Sequence, residues 1–242
     1  MGESFDGSSI AGDEMLMPLI SSCNIACGQH SGDSQTRKRS IALAVRNGVS
    51  VGAHPSYPDA EYFGRRYMDL HGKALVTVFM EQIDIIALEL QNHNEKLHHI
   101  KPHGALYHHL MKHEKDAFAI AEEVASRYHD SILYGLPSSE WQRAAEKFNL
   151  NYAREAFADR RYLPDGQLQP RSEKGSVLDV SESLDQIREM LINKRVRATD
   201  GTFFSVIPNT ICVHSDSPDC LSILKAIHEF LRSENMQLSS SW

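Results

Sequence analysis

The feature that most constrains the fold is a regular alternation of short β-like runs and amphipathic stretches along the chain of 242 residues. Such alternation is typical of α/β proteins built on a parallel sheet. The apolar patterns predict strands at 23–27, 49–53, 99–101, 132–135, 152–157, 203–207 and 210–214. Periodicity, capping residues and glycine stops predict helices at 34–47, 73–95, 115–128, 138–148, 181–193 and 218–231.

About six or seven strand and helix pairs suit a parallel barrel of the (β/α) type better than an open sheet. An open doubly wound sheet stays as the alternative, because a count of elements does not decide whether a barrel closes. Residues 158–177 lack an apolar period and contain Pro164-Asp165-Gly166, which predicts a long loop. The sequence shows neither a linker nor a repeat, so we expect a single α/β domain over residues 1–242.

Composition excludes several classes of partner. With 25 Lys and Arg against 32 Asp and Glu, the formal charge is −7, and no long run of like charges attracts a phosphate backbone. We therefore expect no nucleic-acid partner. The longest apolar runs fall far short of the roughly 20 residues that span a bilayer, and the N-terminus lacks the pattern of a signal peptide. We expect a cytoplasmic protein with no membrane contact, whose four cysteines are reduced thiols.

Histidines follow four of the predicted strands. They are His30, His54, His103 and His214. The carboxyl ends of the strands meet at one face of a parallel barrel, where active sites are built. A single histidine of this kind is most simply a capping or core residue, but the recurrence indicates a site that moves protons or binds a divalent metal. The histidines outside this pattern, such as His98, His108, His109 and His113, are expected at the surface or in supporting positions.

Other polar residues near these strand ends have two interpretations each. Asp33 is either the N-cap of the following helix or a general base. Lys101 is either a surface residue with a buried stem or a group that binds a carboxylate. Cys27 is more simply a buried thiol than a nucleophile. Five arginines are either solvated surface charges or groups that bind a carboxylate or phosphate. They are Arg65, Arg66, Arg160, Arg161 and Arg171.

Ordered motifs along the whole chain resemble the family of 5-oxoprolinase A subunits, also called lactam-utilisation proteins. They are Asn24-Ile25-Ala26-Cys27-Gly28-x-His30-x-Gly32-Asp33, Gly52-Ala53-His54-Pro55-x-Tyr57-Pro58-Asp59, Phe63-Gly64-Arg65-Arg66, Lys101-Pro102-His103-Gly104-Ala105-Leu106-Tyr107, Phe157-Ala158-Asp159-Arg160-x-Tyr162, Asp165-Gly166-x-Leu168, Pro170-Arg171 and Thr210-Ile211-Cys212-Val213-His214-x-Asp216.

This resemblance implies a seven-stranded barrel-like fold of the glycoside hydrolase and deacetylase type. It also implies ATP-dependent opening of 5-oxoproline to L-glutamate together with two partner subunits, of the B and C types. No Walker A motif is present in the sequence, so we expect ATP to be bound mainly by those partners. The family's first strand precedes Gly2-Glu3-Ser4-Phe5, and we expect it to be missing from this chain; Gln29 stands where an aromatic residue is usual.

The expected site follows from these motifs. We expect catalytic roles for His54, His103, Asp33 and Lys101. Substrate binding is expected from Asn24, His30, Arg65, Tyr107, Arg160, Arg171 and His214. A divalent metal, if one is used, would be held by His30, His54 and His103. The alternatives are a stand-alone metal-dependent amide hydrolase or deacetylase, and a non-enzymatic barrel that only binds a ligand or the partner subunits.

Overall fold

The computed structural model describes residues 1–4, 10–217 and 219–240, and it divides the chain into two compact units. Unit 1 comprises Met1–Ala153 with Ser239–Trp242, and unit 2 comprises Arg154–Leu238. Each unit pairs parallel strands and packs helices beside them, so the predicted α/β class is confirmed. The single domain expected from the sequence stays a prediction.

Unit 1 carries a parallel sheet whose strands follow one another in chain order. Its elements are α1 (Ile10–Leu16), a 3-10 helix (Met17–Leu19), β1 (Ser22–Ala26), α2 (Ser34–Arg46), β2 (Ser50–His54), α3 (Gly72–Gln91), β3 (His99–Ile100), α4 (Gly104–Lys112), α5 (Glu114–Arg127), β4 (Ile132–Gly135) and α6 (Glu140–Lys147). Since β1 to β4 are parallel, their carboxyl ends lie at the same edge of this sheet.

Local signals explain where the helices of unit 1 begin and end. The side chain of Asp33 accepts a hydrogen bond from the Thr36 N–H at 2.7 Å, which satisfies one of the free donors in the first turn of α2. Gly48, with φ of +66°, follows the end of that helix. Helix α3 buries a stripe of apolar residues at helical spacing, namely Leu75, Phe79, Ile83, Ile86 and Leu90.

Unit 2 combines a parallel strand pair, a short antiparallel pair and two helices. Its elements are β5 (Asn151–Phe157, which begins in unit 1), α7 (Val180–Leu191), β6 (Arg195–Arg197), β7 (Phe203–Ser205), β8 (Thr210–Cys212) and α8 (Cys220–Ser233). Strand β5 pairs with β8 in parallel, and β6 pairs with β7 in antiparallel orientation. Helices α7 and α8 pack through a core that includes Ile187, Ile223 and Phe230.

The structure departs from the sequence prediction in a few elements. Helices α1 and α4 and strand β6 are present but were not predicted. Helix α3 ends at Gln91, before the predicted residue 95, and Asn94 nearby adopts a left-handed φ of +55°. The long loop at 158–177 is confirmed, since it contains only isolated bridges. The predicted start of the last helix, residue 218, lies outside the described residues. Among the described residues, no helix is long and apolar enough to cross a membrane.

Candidate active site

Three of the predicted histidines meet at the carboxyl edge of the sheet in unit 1. His54 is the last residue of β2, while His30 and His103 follow β1 and β3. His30 stacks on His103 with ring centroids 3.9 Å apart, and His54 packs edge-on against His103 at 4.8 Å. All three are buried. The prediction that residues far apart in sequence become neighbours at this edge is confirmed for these three.

Backbone carbonyls fix the protons on His54 and His103. His54 donates its Nδ1 proton to the Lys101 carbonyl oxygen at 2.7 Å, and His103 donates its Nε2 proton to the Phe63 carbonyl oxygen at 2.9 Å. Carbonyl oxygens only accept, so each neutral ring keeps its lone pair on the other nitrogen. Those two nitrogens, His54 Nε2 and His103 Nδ1, face each other at 3.1 Å. The pair is therefore arranged to share one added proton or to bind one cation.

The surroundings keep this pair neutral. The pKa of His103 is lowered to about 3, mainly by burial. The neighbouring His30 also lowers this pKa, and its effect is larger than the opposite effect of Glu3. Burial also holds the pKa of His54 well below its usual value, with His103 and Lys101 adding to the effect. A positive charge in this low-dielectric position is costly unless an anion accompanies it. At neutral pH the facing nitrogens thus present lone pairs rather than protons.

The loop after β2 contains Phe63 and Gly64, which pack against this cluster. Gly64 has φ of +65°, and a Cβ there would lie 2.9 Å from His30 Cβ and 3.0 Å from His103 Cδ2. Phe63 also adopts a left-handed conformation, with φ of +56°, and supplies the carbonyl that orients His103. Left-handed non-glycine residues are costly and cluster at functional sites. This loop therefore needs a glycine beside the stacked imidazoles.

Glu3, in the N-terminal segment, lies next to the three histidines. Its Oε1 lies 3.8 Å from His30 Nε2, which is beyond hydrogen-bond distance. Glu3, His54 and His103 each offer one ligand atom, and these atoms lie within 4.8 Å of one another. The described residues thus group Glu3, rather than the predicted His30, with His54 and His103 as candidate metal ligands. His30 is fully buried, and neither of its ring nitrogens makes a hydrogen bond within the described chain.

Asn24 orients a fourth imidazole that the sequence analysis placed in a strand without a role. The Asn24 side-chain oxygen lies 3.0 Å from His99 Nε2, and the His99 ring stacks on Tyr134 at 4.1 Å. His99 is fully buried, and a Cβ at Gly52 would overlap its ring. Gly52 is therefore needed for close approach of β2 to His99. The predicted contact of Asn24 with substrate stays a prediction.

The remaining predicted residues of unit 1 have identifiable positions. Lys101 is only 4% exposed, so its interpretation as a surface residue is wrong; its Nζ lies 6.0 Å from the centre of the buried Tyr107 ring. Asp33 caps α2, which confirms that interpretation and leaves its role as a base untested. Arg65 is exposed and lies over the Phe63 ring at 4.9 Å. Burial raises the pKa of the Cys27 thiol to about 12, which disfavours a nucleophilic role.

In unit 2, His214 pairs with a carboxylate that the sequence analysis did not single out. His214 Nδ1 lies 3.0 Å from Oδ1 of the fully buried Asp159, and the His214 N–H donates to Asp159 Oδ2 at 3.1 Å. Burial raises the pKa of Asp159, but the charge and hydrogen bonds of His214 outweigh it and lower the pKa below its usual value. Because the Asp159 carboxylate only accepts, the proton in this hydrogen bond is on His214 Nδ1.

The predicted arginines of the long loop already have partners within unit 2. Arg171 makes a two-point ion pair with Asp216, with distances of 2.7 Å and 3.0 Å. Arg160 is buried and donates to the carbonyls of Gln169 at 2.6 Å and Ser176 at 3.3 Å. Arg160 therefore holds the loop in shape. Substrate binding by either arginine stays a prediction.

Three carboxylates of these arrangements were not predicted: Glu3, Asp159 and Asp216. Asp159 and Asp216 each follow a predicted strand by two residues, as His103 does, so the position that identified the histidines was also a signal for these carboxylates. Glu3 belongs to a segment outside the regular elements and has no such signal. The pairing of Asp216 with Arg171 depends on how the long loop folds, which the sequence does not show.

Comparison with known proteins agrees with the motifs. The LamB/YcsF family profile matches residues 1–241. The A subunit of 5-oxoprolinase from Halalkalibacterium halodurans is 38% identical over 240 residues, covering 99% of this chain and 93% of the relative. That from Pyrococcus abyssi is 39% identical over 239 residues, covering 98% of this chain and 94% of the relative.

Solved structures agree as well. The lactam utilization protein from Thermus thermophilus superimposes with a TM-score of 0.92 at 35% identity, over 100% of this chain and 97% of that one. A putative cellobiose-phosphate cleavage protein from Enterococcus faecalis has a TM-score of 0.55 at 10% identity, which shows a likeness of fold alone. The resemblance predicted from the motifs is confirmed, and the chain belongs to the LamB/YcsF family.

Proposed function

We propose that this chain is the A subunit of a 5-oxoprolinase, and that it opens the lactam ring of 5-oxoproline to give glutamate. The names of its full-length relatives support the substrate. The single observation that carries the assignment to a site is the facing pair His54 Nε2 and His103 Nδ1, 3.1 Å apart, at the carboxyl edge of the sheet in unit 1. Two other subunits, of the B and C types, and ATP bound mainly by them complete the activity in this proposal.

An unactivated amide is attacked slowly by water. Transfer of a phosphoryl group from ATP to the lactam oxygen makes the ring carbon electrophilic and brings negative charge to the site. That charge offsets the cost of a proton on the buried histidines, because a nearby anion raises the pKa of an imidazole. The His54–His103 pair then accepts a proton from the attacking water, and the proton is shared between the two facing nitrogens.

The same pair returns the proton. When the ring C–N bond breaks, its electron pair stays on nitrogen, and the shared proton together with the proton of the new hydroxyl completes the amine of the product. The carbon keeps the phosphoryl group as an acyl phosphate, and a second water molecule cleaves this to glutamate and inorganic phosphate. Lys101, buried just after β3, binds the substrate carboxylate. His30 Nδ1 is buried and makes no hydrogen bond in the described chain, and an unsatisfied buried group of this kind costs about 1–3 kcal/mol. A polar substrate atom would recover that cost, so we assign His30 to substrate binding.

A specific observation favours a second candidate function, a metal-dependent amide hydrolase or deacetylase. The ligand atoms of Glu3, His54 and His103 lie within 4.8 Å of one another, and a carboxylate with two imidazoles suits a divalent ion of the zinc class. Such an ion would supply a more acidic bound water. The two functions differ in their needs: the first requires ATP and partner subunits, while the second requires a metal and neither of the others.

Further parts of the proposal rest on the family resemblance and on composition. The expected fold is the seven-stranded (β/α) barrel, and the expected location is the cytoplasm. Within unit 2, the Asp159–His214 pair is a candidate substrate-binding group, because the carboxylate fixes the imidazole.

The test is glutamate release from 5-oxoproline and ATP, measured with the chain alone, the partner subunits alone and the reconstituted mixture. We expect product only in the full mixture, and a loss of roughly 100-fold or more for His54→Ala and His103→Ala. The exposed His129 provides the matched control, His129→Ala. Wild-type turnover in both active-site variants would refute the assignment. Amide hydrolysis by the metal-loaded chain without ATP would favour the second function.

A further inference from the structure

A second cluster of histidines surrounds a buried carboxylate in unit 1, at the ends of three helices. The residues are His71 at the start of α3, His109 in the last turn of α4, His113 between α4 and α5, and Asp116 in the first turn of α5. Three ring nitrogens approach the same oxygen, Asp116 Oδ2: His71 Nδ1 at 2.6 Å, His109 Nε2 at 2.8 Å and His113 Nδ1 at 3.1 Å. His109 and His113 were expected at the surface or in supporting positions, with no common partner.

This arrangement is not complete as a set of hydrogen bonds. A carboxylate oxygen has two lone pairs, and each neutral imidazole carries a proton on only one nitrogen. Three imidazoles therefore exceed what Asp116 Oδ2 accepts with good geometry. His113 shows the consequence, because its Nδ1 is buried and makes no hydrogen bond within the described chain. A cation in place of the protons on His71 Nδ1 and His109 Nε2 would bind these two nitrogens, Asp116 Oδ2 and the unsatisfied His113 Nδ1 together.

We propose that His71, His109, His113 and Asp116 form a binding site for a divalent first-row transition ion of the zinc class. Each residue offers one ligand atom, and the four atoms lie within 4.8 Å of one another. Three imidazole nitrogens and one carboxylate oxygen are a common ligand set for such ions and a poor one for calcium or magnesium, which take oxygen ligands.

Groups around the ligands are placed to support metal binding. The Gly72 N–H donates to Asp116 Oδ1 at 2.8 Å, which leaves Oδ2 directed at the histidines. His71 Nε2 lies 3.2 Å from a carboxylate oxygen of Asp69 and 3.0 Å from the Tyr67 hydroxyl. A carboxylate on the outer nitrogen of a ligating histidine fixes its tautomer and increases its basicity, as is usual at metal sites.

The site would tie three helix ends together. His71 precedes α3, while His109, His113 and Asp116 span the junction of α4 and α5. These segments are about 40 residues apart in sequence. A metal that binds only the folded chain stabilises it by mass action. We therefore assign this ion a structural role, which is independent of the function proposed for the strand-end site.

The experiment is a zinc titration of the chelator-stripped full chain, followed by calorimetry, with cobalt absorption as a report of coordination. Wild type should bind one equivalent of zinc at this site. His113→Gln and His109→Gln should lose this equivalent or bind it at least 10-fold more weakly. His113→Gln is the cleaner variant, because its side chain is 43% exposed and its Nδ1 makes no hydrogen bond, so folding should be unaffected. The matched control is His108→Gln, since His108 adjoins His109 in α4 but is exposed.

A His54→Gln variant separates this site from the strand-end cluster, and it should retain the equivalent that His113→Gln loses. Zinc at about 100 times the wild-type Kd should raise the Tm of wild type and of His54→Gln by roughly 5–10 °C, and should raise the Tm of His113→Gln by no more than about half as much. Equal zinc stoichiometry and affinity in wild type, His109→Gln and His113→Gln would overturn the proposal. So would the absence of zinc and cobalt binding by folded wild type.

Discussion

The substitution His103→Gln removes a buried imidazole whose proton affinity differs greatly between the folded and unfolded chain. Burial, and then the neighbouring His30, lower its pKa from 6.5 to about 3 in the folded state. Between about pH 3 and about pH 6.5, the unfolded state therefore binds a proton on this residue that the folded state does not bind. Since stability falls as the pH falls wherever the unfolded state binds more protons, acid should destabilise wild type by about 1.4 kcal/mol per pH unit through this residue. The full effect is about 5 kcal/mol, reached near pH 3.

Urea unfolding across pH measures this effect, with a chelator present so that metal binding does not contribute. Between about pH 6.5 and about pH 5, wild type should lose about 2 kcal/mol more unfolding free energy than His103→Gln. Glutamine is preferred to alanine because its amide can still donate to the Phe63 carbonyl. The exposed His129→Gln serves as the control and should follow wild type. Identical pH slopes for wild type and His103→Gln would refute a neutral, buried His103.

Three further predictions concern stability and reactivity. Gly52→Ala should lower the free energy of unfolding, measured in urea, by about 3 kcal/mol, because the new Cβ overlaps the fully buried His99 ring. Gly12→Ala, with open space around the new Cβ, should raise the free energy of unfolding by about 0.5–1 kcal/mol. Equal effects of the two substitutions would contradict this contrast. Asp179→Ala should cost about 1 kcal/mol in the same assay by removing the capping box of α7, and an unchanged midpoint would contradict it. Burial raises the pKa of Cys27 to about 12, so this thiol should be alkylated at neutral pH at least about 10-fold more slowly in the folded chain than in urea. Mass spectrometry follows the alkylation, and equal rates in the two states would show that the thiol is accessible.

Elements with complete local signals were predicted closely from the sequence. The helix at 34–47 corresponds to α2 (Ser34–Arg46), because Asp33 supplies a cap and Gly48 a stop. Strand 132–135 matches β4 (Ile132–Gly135), a continuous apolar run buried along its length. These signals lie within a few residues of the element they define, so no tertiary information is needed to use them.

Elements whose stability comes from packing were missed. Helix α4 (Gly104–Lys112) begins directly after Pro102 and His103, in a segment that the sequence presents as a strand-end loop. Its buried residues, Leu106, Tyr107 and Leu110, supply an apolar face only once the neighbouring elements are in place. Strand β6 (Arg195–Arg197) is three residues long and mostly charged, which gives too short a pattern for recognition.

The strand-end histidines were predictable because their position depends on strand order alone. Any residue that follows β1, β2 or β3 arrives at the same sheet edge, so His30, His54 and His103 could be grouped from the sequence. Their proton positions could not be predicted, because these depend on the carbonyls of Lys101 and Phe63. In the helix-end cluster, His109, His113 and Asp116 are close together in sequence and could have been grouped, but their meeting with His71 could not be predicted, since helix ends have no common edge that brings them together.

The two clusters use the same residue type but differ in the partner that orients the rings, and this difference sets their chemistry. At the strand ends, uncharged carbonyls fix His54 and His103, and burial then lowers the pKa of both. At the helix ends, the Asp116 carboxylate is the orienting partner; its hydrogen bond raises the pKa of His71, while burial lowers the pKa of His109. The first cluster therefore takes up a proton only beside an added anion, as the base in the proposed ring opening would. The second cluster contains its own anion, Asp116, which offsets the charge of a bound cation, as the proposed structural site requires.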